Sequence, residues 1–556
     1  MDFRSHSKIL TDMKKLFTLV LTASVCAMLF SCEKDFDETN KNPNGFTTAS
    51  DGSLFNAAIA SLKFGWNEQL YVNVSVLYKE TQLGALPQVR WNNYTIGTEE
   101  IWRNYYTILP NFRELERRWS GYSSSSPEKR NMLAMEKILL AFKTFKMTDL
   151  FGDIPFSEAG YGYQDVNRLR PTFDSQASIY LSQLEALAWA ARNIDPAAVA
   201  EEPIASFRAF DNLFFGDLSK WRKFANSLRL RYAMRMADRD SLAADSIVGD
   251  ILNNDLPLLG AYSGGFLNDN PYTESAALYP YQLGFRNESK GWSYNQSKDM
   301  RMGTNVWHVV SRHDSTDGSG IFDPRAYYFF DTDYNNRWVP YPNVAPAGAQ
   351  PDGGIPYEYQ RDALYSLKGQ TCNYSPFNYH LVRDMDFIPD ILMTGAEVHF
   401  LRAEAFHRGI GVGAPDLNRR DDAFINGLLF SLNFWQTIMN TSKLPNSGAT
   451  FASNVNVPSN LGFVTVQNGT DYFSLNESEK IAMIYTQSWL DLFLQPQEAW
   501  ALVRRKGSYV PHEGPASTVY RLPIPPSEVS YNEGNWLSVF GSASGDAMDR
   551  KMWWMR

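Results

Sequence analysis

Apolar residues recur at spacings of three and four along most of the chain, with polar residues between them. This pattern is typical of helices that bury one face in a core. Ser126-Pro127-Glu128 adds a clear helix start, because a capping hydroxyl, a proline and an acid follow in the order that first turns favour. We predict helices on these apolar stripes: Leu54, Ala58 and Leu62; Trp102, Tyr106, Leu109 and Leu115; Met135, Ile138, Leu139, Phe142 and Phe145; Ile179, Leu184, Leu187 and Ala191; Trp221, Phe224, Leu228 and Tyr232.

Two of these helices carry unusual residues. The helix of Trp102 is predicted to begin near Thr98, which two acids follow, and to kink at Pro110. The helix of Trp221 carries a series of arginines: Arg222, Arg229, Arg231, Arg235 and Arg239. They suit a ligand platform or a solvated, ion-paired face, and we favour the solvated face.

Three further helices are predicted at about residues 389–409, 419–440 and 476–506. In the first of them Ala396, Ala403 and Ala405 stand between bulky residues, which permits the close packing of tetratricopeptide-like helix pairs. Residues 255–388 differ, since they are rich in Gly, Pro, Asn, Tyr and Trp and have few amphipathic runs. We predict an irregular insertion with short strands there, and such excursions often carry function.

The amino-terminal segment has the layout of a secretory signal. Met13 and two lysines precede an apolar run over residues 16–30, which is shorter than the ~20 residues that span a bilayer. Met13 is therefore the expected start. Leu29-Phe30-Ser31-Cys32 resembles a lipobox, so we predict that residues 1–31 are removed and that Cys32 is acylated. The alternative is an ordinary secreted protein that is cut elsewhere.

Composition narrows the classes of function. The chain has 3 cysteines, and only Cys372 would remain free after cleavage and lipidation, so no internal disulfide is expected. The formal net charge of −9 disfavours nucleic acid as a partner. Residues 32–50 begin with acids, continue as polar sequence and predict a lipidated tether. A single domain is expected over residues 51–556.

Motifs for catalysis and cofactors are scarce. The sequence contains neither a phosphate-loop pattern nor the HExxH pattern of zinc enzymes. Asp331-Thr332-Asp333 begins like a calcium loop, but Asn336 and Pro342 replace the glycine and glutamate that the loop needs, so we predict no metal site. A glycosidase carboxylate pair is spatial and stays open at this point. We expect no cofactor and no enzyme activity.

Several segments along the mature chain carry a family resemblance: the acidic residues after Cys32; Asn42-Pro43-Asn44; Trp102-Arg103-Asn104-Tyr105-Tyr106; Asp149-Leu150-Phe151-Gly152-Asp153-Ile154-Pro155-Phe156; Ala396-Glu397-Val398 with Ala403-Glu404-Ala405; Glu498-Ala499-Trp500 with Arg504-Arg505; and Arg521-Leu522-Pro523-Ile524-Pro525 with Glu528 and Asn532. In this order and spacing they resemble the SusD/RagB-type nutrient-binding lipoproteins of Bacteroidetes. The resemblance covers essentially the whole mature chain.

The resemblance implies a mostly α-helical fold. About four tetratricopeptide-like helix pairs would form a scaffold, with irregular loops and minor short strands packed on one side. It also implies an outer-membrane lipoprotein that faces the cell exterior and partners a SusC-type TonB-dependent transporter. The quoted motifs are interpreted as scaffold, so we do not assign them to ligand.

By position, such families draw their ligand contacts from the loop before the Trp102 helix and from the central irregular region. The first segment offers Arg90 and Asn92 for sugar hydroxyls, with Trp91 or Tyr94 as stacking faces. The second offers Trp292, Tyr294, Trp338 and Tyr341, with Trp307 nearby. For each residue alone, core packing competes with ligand contact.

The function that these features favour is capture of glycan oligosaccharides at the cell surface and their delivery to the transporter. A peptide ligand in the same kind of protein is the first alternative. A scaffold subunit that binds nothing and a surface glycan-active enzyme with a hidden carboxylate pair are the others.

Overall fold

Helices dominate the computed structural model, which describes residues 49–86, 93–120, 126–198, 208–261, 274–297, 300–333, 335–344, 373–378, 381, 387–441, 466–467 and 470–556. The α-helices are α1 Asp51–Ala60, α2 Tyr78–Thr81, α3 Tyr94–Ser120, α4 Pro127–Phe151, α5 Gln176–Asn193, α6 Leu218–Met236, α7 Ser241–Asn253, α8 Pro280–Leu283, α9 Glu288–Ser297, α10 Thr304–Val310, α11 Arg325–Phe329, α12 Gly395–Arg408, α13 Leu417–Asn440, α14 Glu477–Asp491, α15 Pro496–Lys506, α16 Pro526–Tyr531 and α17 Glu533–Phe540. Residues Glu68–Leu77 form a π-helix. None of these described helices is both long and apolar enough to cross a membrane.

Eight of the long helices pack as consecutive pairs: α3 with α4, α5 with α6, α12 with α13, and α14 with α15. Further contacts join the pairs, because α4 packs on α5, α6 on α12, α12 on α14, and α15 on α4. The predicted mostly α, tetratricopeptide-like scaffold is therefore confirmed. Residues 51–556 form one compact unit.

Strands are short in the described residues and occur as antiparallel pairs: β1 Ile154–Pro155 with β2 Phe173–Asp174, β3 Ala276–Leu278 with β4 Asp390–Met393, and β5 Val466–Gln467 with β6 Thr470–Asp471. In the β3–β4 pair Leu278 faces Asp390 and Ala276 faces Met393. This pair ties the central irregular region to the start of α12.

Local sequence explains several helix boundaries. Ser126 caps α4 as predicted, with its hydroxyl accepting from the Lys129 N–H at 3.5 Å. Thr394 caps α12 by accepting from the Glu397 N–H at 3.0 Å. Gly409 ends α12 at φ +72°, a left-handed conformation that glycine adopts without strain.

Three boundary predictions were wrong. Residues 390–393 are strand β4 and not the first turn of a helix, because their apolar run pairs with β3 and is buried. The helix predicted over 476–506 is divided into α14 and α15, since Pro496 cannot occupy a helix interior and starts a new helix instead. Helix α3 begins at Tyr94, earlier than Thr98. Pro110 lies inside α3, and the kink predicted there stays a prediction.

The arginines of α6 also correct a prediction. Arg229, Arg231 and Arg235 are 3%, 2% and 6% exposed, so this is not a solvated face. Arg231 donates two hydrogen bonds of 2.6 Å to Glu397 on α12. The ion-pair part of the interpretation is correct, but the pairs are buried between helices.

Asp149 joins these arginines to the carboxyl end of the chain. Its carboxylate pairs with Arg235 and accepts from the Tyr180 hydroxyl and, at 2.9 Å, from the Trp554 indole N–H. Arg235 also pairs with Glu498 on α15. Together Asp149, Arg231, Arg235, Glu397 and Glu498 form a buried network to which all four helix pairs contribute. We call it the central ion network.

Replacing Arg235 with Met tests the central ion network. Asp149 and Glu498 would lose their closest cation inside the core, and breaking a buried pair in this way costs about 3–5 kcal/mol. We expect the free energy of unfolding in urea to fall by about that amount. Arg239→Met, at an exposed position just after the same helix, is the control and should change it little. Equal effects of the two substitutions would contradict a stabilising role for the network.

Glu136 on α4 gives a pH-dependent prediction. Its side chain is 0% exposed, neither carboxyl oxygen has a hydrogen-bond partner, and burial with Glu116 nearby raises its pKa to about 8 from 4.5. The folded state therefore holds a proton that the unfolded state releases above pH 4.5. This contribution to stability is present below about pH 4.5 and is lost as pH rises toward 8, by about 1.4 kcal/mol per pH unit.

The Glu136→Gln variant should lose this dependence. We expect its free energy of unfolding to exceed that of the unsubstituted protein at pH 8 and the difference to shrink toward pH 5, measured by urea denaturation at each pH. Glu185→Gln on the exposed side of α5 is the matched control. A difference that does not vary with pH would contradict the assignment of a buried, protonated Glu136.

Candidate ligand-binding face

Main-chain pairing ties the chain just before the first segment predicted to bind ligand to the central irregular region that contains the second. Ala85, three residues before Gln88, donates to the Arg301 carbonyl at 2.8 Å and accepts from the Arg301 N–H at 2.9 Å. Tyr341 N–H donates to the Met302 carbonyl at 2.8 Å. Residues 84–86, 300–304, 339–343 and 374–377 thus lie side by side, most of them buried, and we call these paired segments the candidate face.

A segment near the carboxyl end edges the candidate face. The Gln82 side chain and the Glu513 main chain exchange two hydrogen bonds of 2.8 Å. The Thr304 hydroxyl donates to the Glu513 carboxylate at 2.5 Å, and the Asn305 amide donates to the Pro511 carbonyl at 2.8 Å. Sequence reasoning missed this role of Glu513, because 209 positions separate it from Thr304 and no local pattern marks the pairing.

Of the predicted aromatic contacts, Trp338 and Tyr341 lie in the interior. Their exposed fractions are 4% and 6%. Trp338 lies parallel to Trp307 at 6.3 Å between ring centroids and meets the edge of Tyr327 at 5.4 Å, and Tyr341 packs at 4.9 Å on Tyr374. In this conformation both rings are buried against neighbouring aromatic rings, and a ligand contact for either stays a prediction.

The other predicted residues are placed only in part. Arg90, Trp91 and Asn92 lie outside the described residues, as does Cys32. Tyr94 is the first residue of α3 and is partly exposed. The roles predicted for these residues therefore stay predictions.

Helix α9 carries Trp292 and Tyr294, whose side chains are not among the described parts of the structure. The helix itself is well anchored. Asn287 donates to the Ile388 carbonyl at 3.0 Å, and Lys290 donates to the Pro389 carbonyl at 2.7 Å and pairs with Asp390 at 3.0 Å. Burial lowers the pKa of Lys290, and Asp390 opposes that shift.

A polar edge of the candidate face was not predicted. His308 is 58% exposed and lies between two carboxylates, with its ring nitrogens 3.5 Å from Asp314 and 3.5 Å from Glu513. Trp307, its neighbour, donates to Asp314 at 3.1 Å. Exposed groups of this kind supply hydrogen-bond donors and acceptors beside the main-chain pairing.

The calcium-like segment has an internal partner. Asp333 accepts from the Asn335 and Arg337 N–H groups at 2.8 Å, and the Arg337 guanidinium pairs with its carboxylate at 2.9 Å. Among the described residues no group of acids, histidines or cysteines is arranged to hold a metal ion. Arg337 thus supplies the positive charge that Asp333 faces.

The resemblance motifs lie in the scaffold. The Leu522 N–H donates to the Leu150 carbonyl at 2.7 Å, which joins the last motif to the end of α4. Asp546 accepts from the Ile524 N–H and from the Trp536 indole, both at 3.0 Å. These contacts hold helices and the carboxyl-terminal segment together.

Replacing Trp338 with Ala separates its two possible roles. Removing a buried aromatic side chain costs about 3–5 kcal/mol, so we expect a lower free energy of unfolding and a lower melting temperature. Tyr531→Ala, at a residue that is 77% exposed, is the control and should leave both nearly unchanged. A Trp338→Ala protein of normal stability would contradict the core role.

The fold is shared with known proteins. The structure is similar to a chitin-binding protein with a TM-score of 0.65 and 20% identity, over 91% of this chain and 100% of that chain. A SusD homologue from Bacteroides thetaiotaomicron gives 0.61 and 18% over 92% and 99%, and one from Parabacteroides distasonis gives 0.64 and 18% over 91% and 98%. At such identities the similarity concerns the fold.

The sequence itself supplies the family. A search of curated proteins found no match. A family model described as SusD-like, starch-binding and associating with the outer membrane matches residues 43–511, which is most of the chain. The predicted resemblance is confirmed, and this chain belongs to the SusD-like family of starch-binding proteins that associate with the outer membrane.

Proposed function

We propose that this protein is a cell-surface lipoprotein that binds glycan oligosaccharides on the candidate face and passes them to a SusC-type TonB-dependent transporter. Membership of a starch-binding, outer-membrane-associated family supports the class of ligand and the location. The observation that carries the proposal is the main-chain pairing of Ala85 with Arg301, since it ties the chain just before the first predicted binding segment to the central irregular region that contains the second.

The chemistry of the two segments suits a sugar. Trp91 or Tyr94 from the first, and Trp292 and Tyr294 from the second, would offer ring faces on which a pyranose stacks. Arg90 and Asn92 would bond its hydroxyl groups. Trp338 and Tyr341 are buried and would keep the candidate face rigid, so that little side-chain entropy is lost on binding.

The proposed anchor is Cys32, acylated after removal of residues 1–31. Residues 33–50 are 18 residues long, and an extended chain spans at most about 3.3–3.6 Å per residue, so the tether would reach about 60 Å. That reach would let the protein close over and open away from a transporter while it stays on the membrane. No catalytic step is part of the proposal.

The test is calorimetry on the protein from Glu33 onward, which keeps the compact unit of residues 51–556, with panels of oligosaccharides and peptides. We expect a glycan hit and, in Trp91→Ala, binding that is weaker by about tenfold or more, or about 1.4 kcal/mol. Trp189→Ala, a partly buried tryptophan on scaffold helix α5, is the matched control and should bind normally.

Other outcomes decide between the alternatives. Binding of a peptide in place of a glycan would change the proposed ligand to a peptide and leave the proposed role in transport unchanged. If no glycan or peptide binds even when the transporter is present, the result would support a scaffold subunit. Turnover of a glycan that is lost on replacing one carboxylate would overturn the binding-only proposal in favour of an enzyme.

A further inference from the structure

A concave site lies between helix α15 and the carboxyl-terminal segment, and His512 in its lining adjoins Pro511 and Glu513 at the edge of the candidate face. It encloses a cavity of about 290 Å³. We call it the C-terminal pocket, and its polar and aromatic lining includes Trp500, Arg504, Ser508, His512, Lys551 and Arg556. Its volume is near the lower end of ligand pockets, about 300–1,000 Å³, and suits a molecule the size of one sugar ring.

The charge of the C-terminal pocket opposes that of the protein. Three cationic side chains line it, and none of its lining side chains is acidic. Lys551 donates to the Arg556 carbonyl at 2.5 Å and Arg556 to the Asp238 carbonyl at 2.6 Å, so both bond to main-chain oxygens. The chain as a whole carries a formal net charge of −9. A concave site of one sign, walled by a low-dielectric protein interior, focuses the field and attracts ions of the opposite sign. An anion is therefore the ligand that the local field favours.

Two buried donors in the wall lack partners. The Trp500 side chain is 1% exposed, and neither its indole N–H nor Nη2 of Arg504 has a hydrogen-bond partner. Indole and guanidinium groups donate hydrogen bonds and cannot accept them. A buried donor without an acceptor costs free energy. A ligand that brings acceptor oxygens to these two donors would recover that free energy.

The rest of Arg504 is held in place. Nη1 donates to the Asp149 carbonyl at 2.9 Å and to the Tyr520 carbonyl at 2.7 Å, and the guanidinium lies 3.6 Å from the centre of the Trp500 ring. Its described partners are carbonyl oxygens and a ring face, and it forms no ion pair within the described residues. The group is thus oriented in advance, and Nη2 is the donor atom that it has left for a ligand.

We propose that the C-terminal pocket binds the oxyanion of a ligand the size of one sugar ring, either a carboxylate or a sulfate ester. Arg504 and Trp500 would supply fixed donors, and Lys551 and Arg556 would supply charge at the mouth, where both are exposed. This site goes beyond the candidate face and would let an acidic protein bind an acidic sugar.

The test spares Arg504, because its charge also stabilises Asp149 and Glu498 in the central ion network. The double variant Lys551→Gln with Arg556→Gln changes exposed side chains only. Arg192→Gln, an exposed arginine at the end of α5, is the matched control. Equal melting temperatures of the three proteins would establish that the fold is intact.

Calorimetry at constant ionic strength then compares glucuronate, galactose 6-sulfate, glucose and inorganic sulfate. We expect the two charged sugars to bind, glucose not to bind, and the double variant to bind the charged sugars at least tenfold more weakly while Arg192→Gln is unchanged. Equal binding to the double variant, or no binding of either charged sugar, would overturn the proposal. If inorganic sulfate binds as tightly as the charged sugars, the claim that the ligand has the size of a sugar ring is overturned.

A crystal soaked in glucuronate gives a second readout that does not depend on variants. The carboxylate should lie within hydrogen-bond distance of Arg504, Trp500 or Lys551, and density elsewhere would contradict the site. Trp91→Ala should retain glucuronate affinity, because the proposed oxyanion contacts come from Trp500, Arg504, Lys551 and Arg556 and not from the segment of Trp91. Loss of neutral glycan binding in that variant and loss of glucuronate binding in the double variant are therefore distinguishable.

Discussion

The buried charges at the centre of the scaffold constrain the rest of the structure. Arg231 and Arg235 on α6 meet Asp149 from α4, Glu397 from α12 and Glu498 from α15. Burial alone would raise the pKa of Glu498, but Arg231 and Arg235 together lower it. A charge in a protein interior is tolerated only when it is paired, so the network is satisfied only when all four helix pairs are assembled in one arrangement. It fixes the register of the scaffold.

The irregular region is attached to that scaffold by similar means. Arg325 is 0% exposed, pairs with Asp323 at 2.6 Å and donates to Ser431 on α13 at 3.0 Å. The ion pair between Lys290 and Asp390 likewise attaches α9 to strand β4. The candidate face is therefore built from segments without long helices of their own, yet it rests on buried polar contacts that leave it few alternative positions. Segments fixed in this way lose little entropy when a ligand binds, which is the physical advantage of preorganisation.

Net charge gives little information about either site. The chain is acidic overall, but individual acids are neutralised by ion pairs with arginines, as Glu404 is by Arg505 at 2.5 Å and Arg408 at 2.8 Å. Burial alone would raise the pKa of Glu404, while these cations lower it to about 2. A ligand interacts with the charged groups near its own site and not with the net charge of the chain. These groups differ between the polar edge at His308 and the cationic C-terminal pocket.

The sequence by itself determined the local helices, because apolar spacing and caps such as Ser126 act within a few turns, and motif order identified the family. Tertiary structure alone decided the burial of Arg231 and Arg235, the strand at 390–393, the inward orientation of Trp338, and the approach of Glu513 to Thr304. Each depends on a partner distant in the chain: Glu397, strand β3, Trp307 and the candidate face itself. A pattern of polarity indicates that a residue can be buried or charged, but the partner that satisfies it is set only when distant segments pack together.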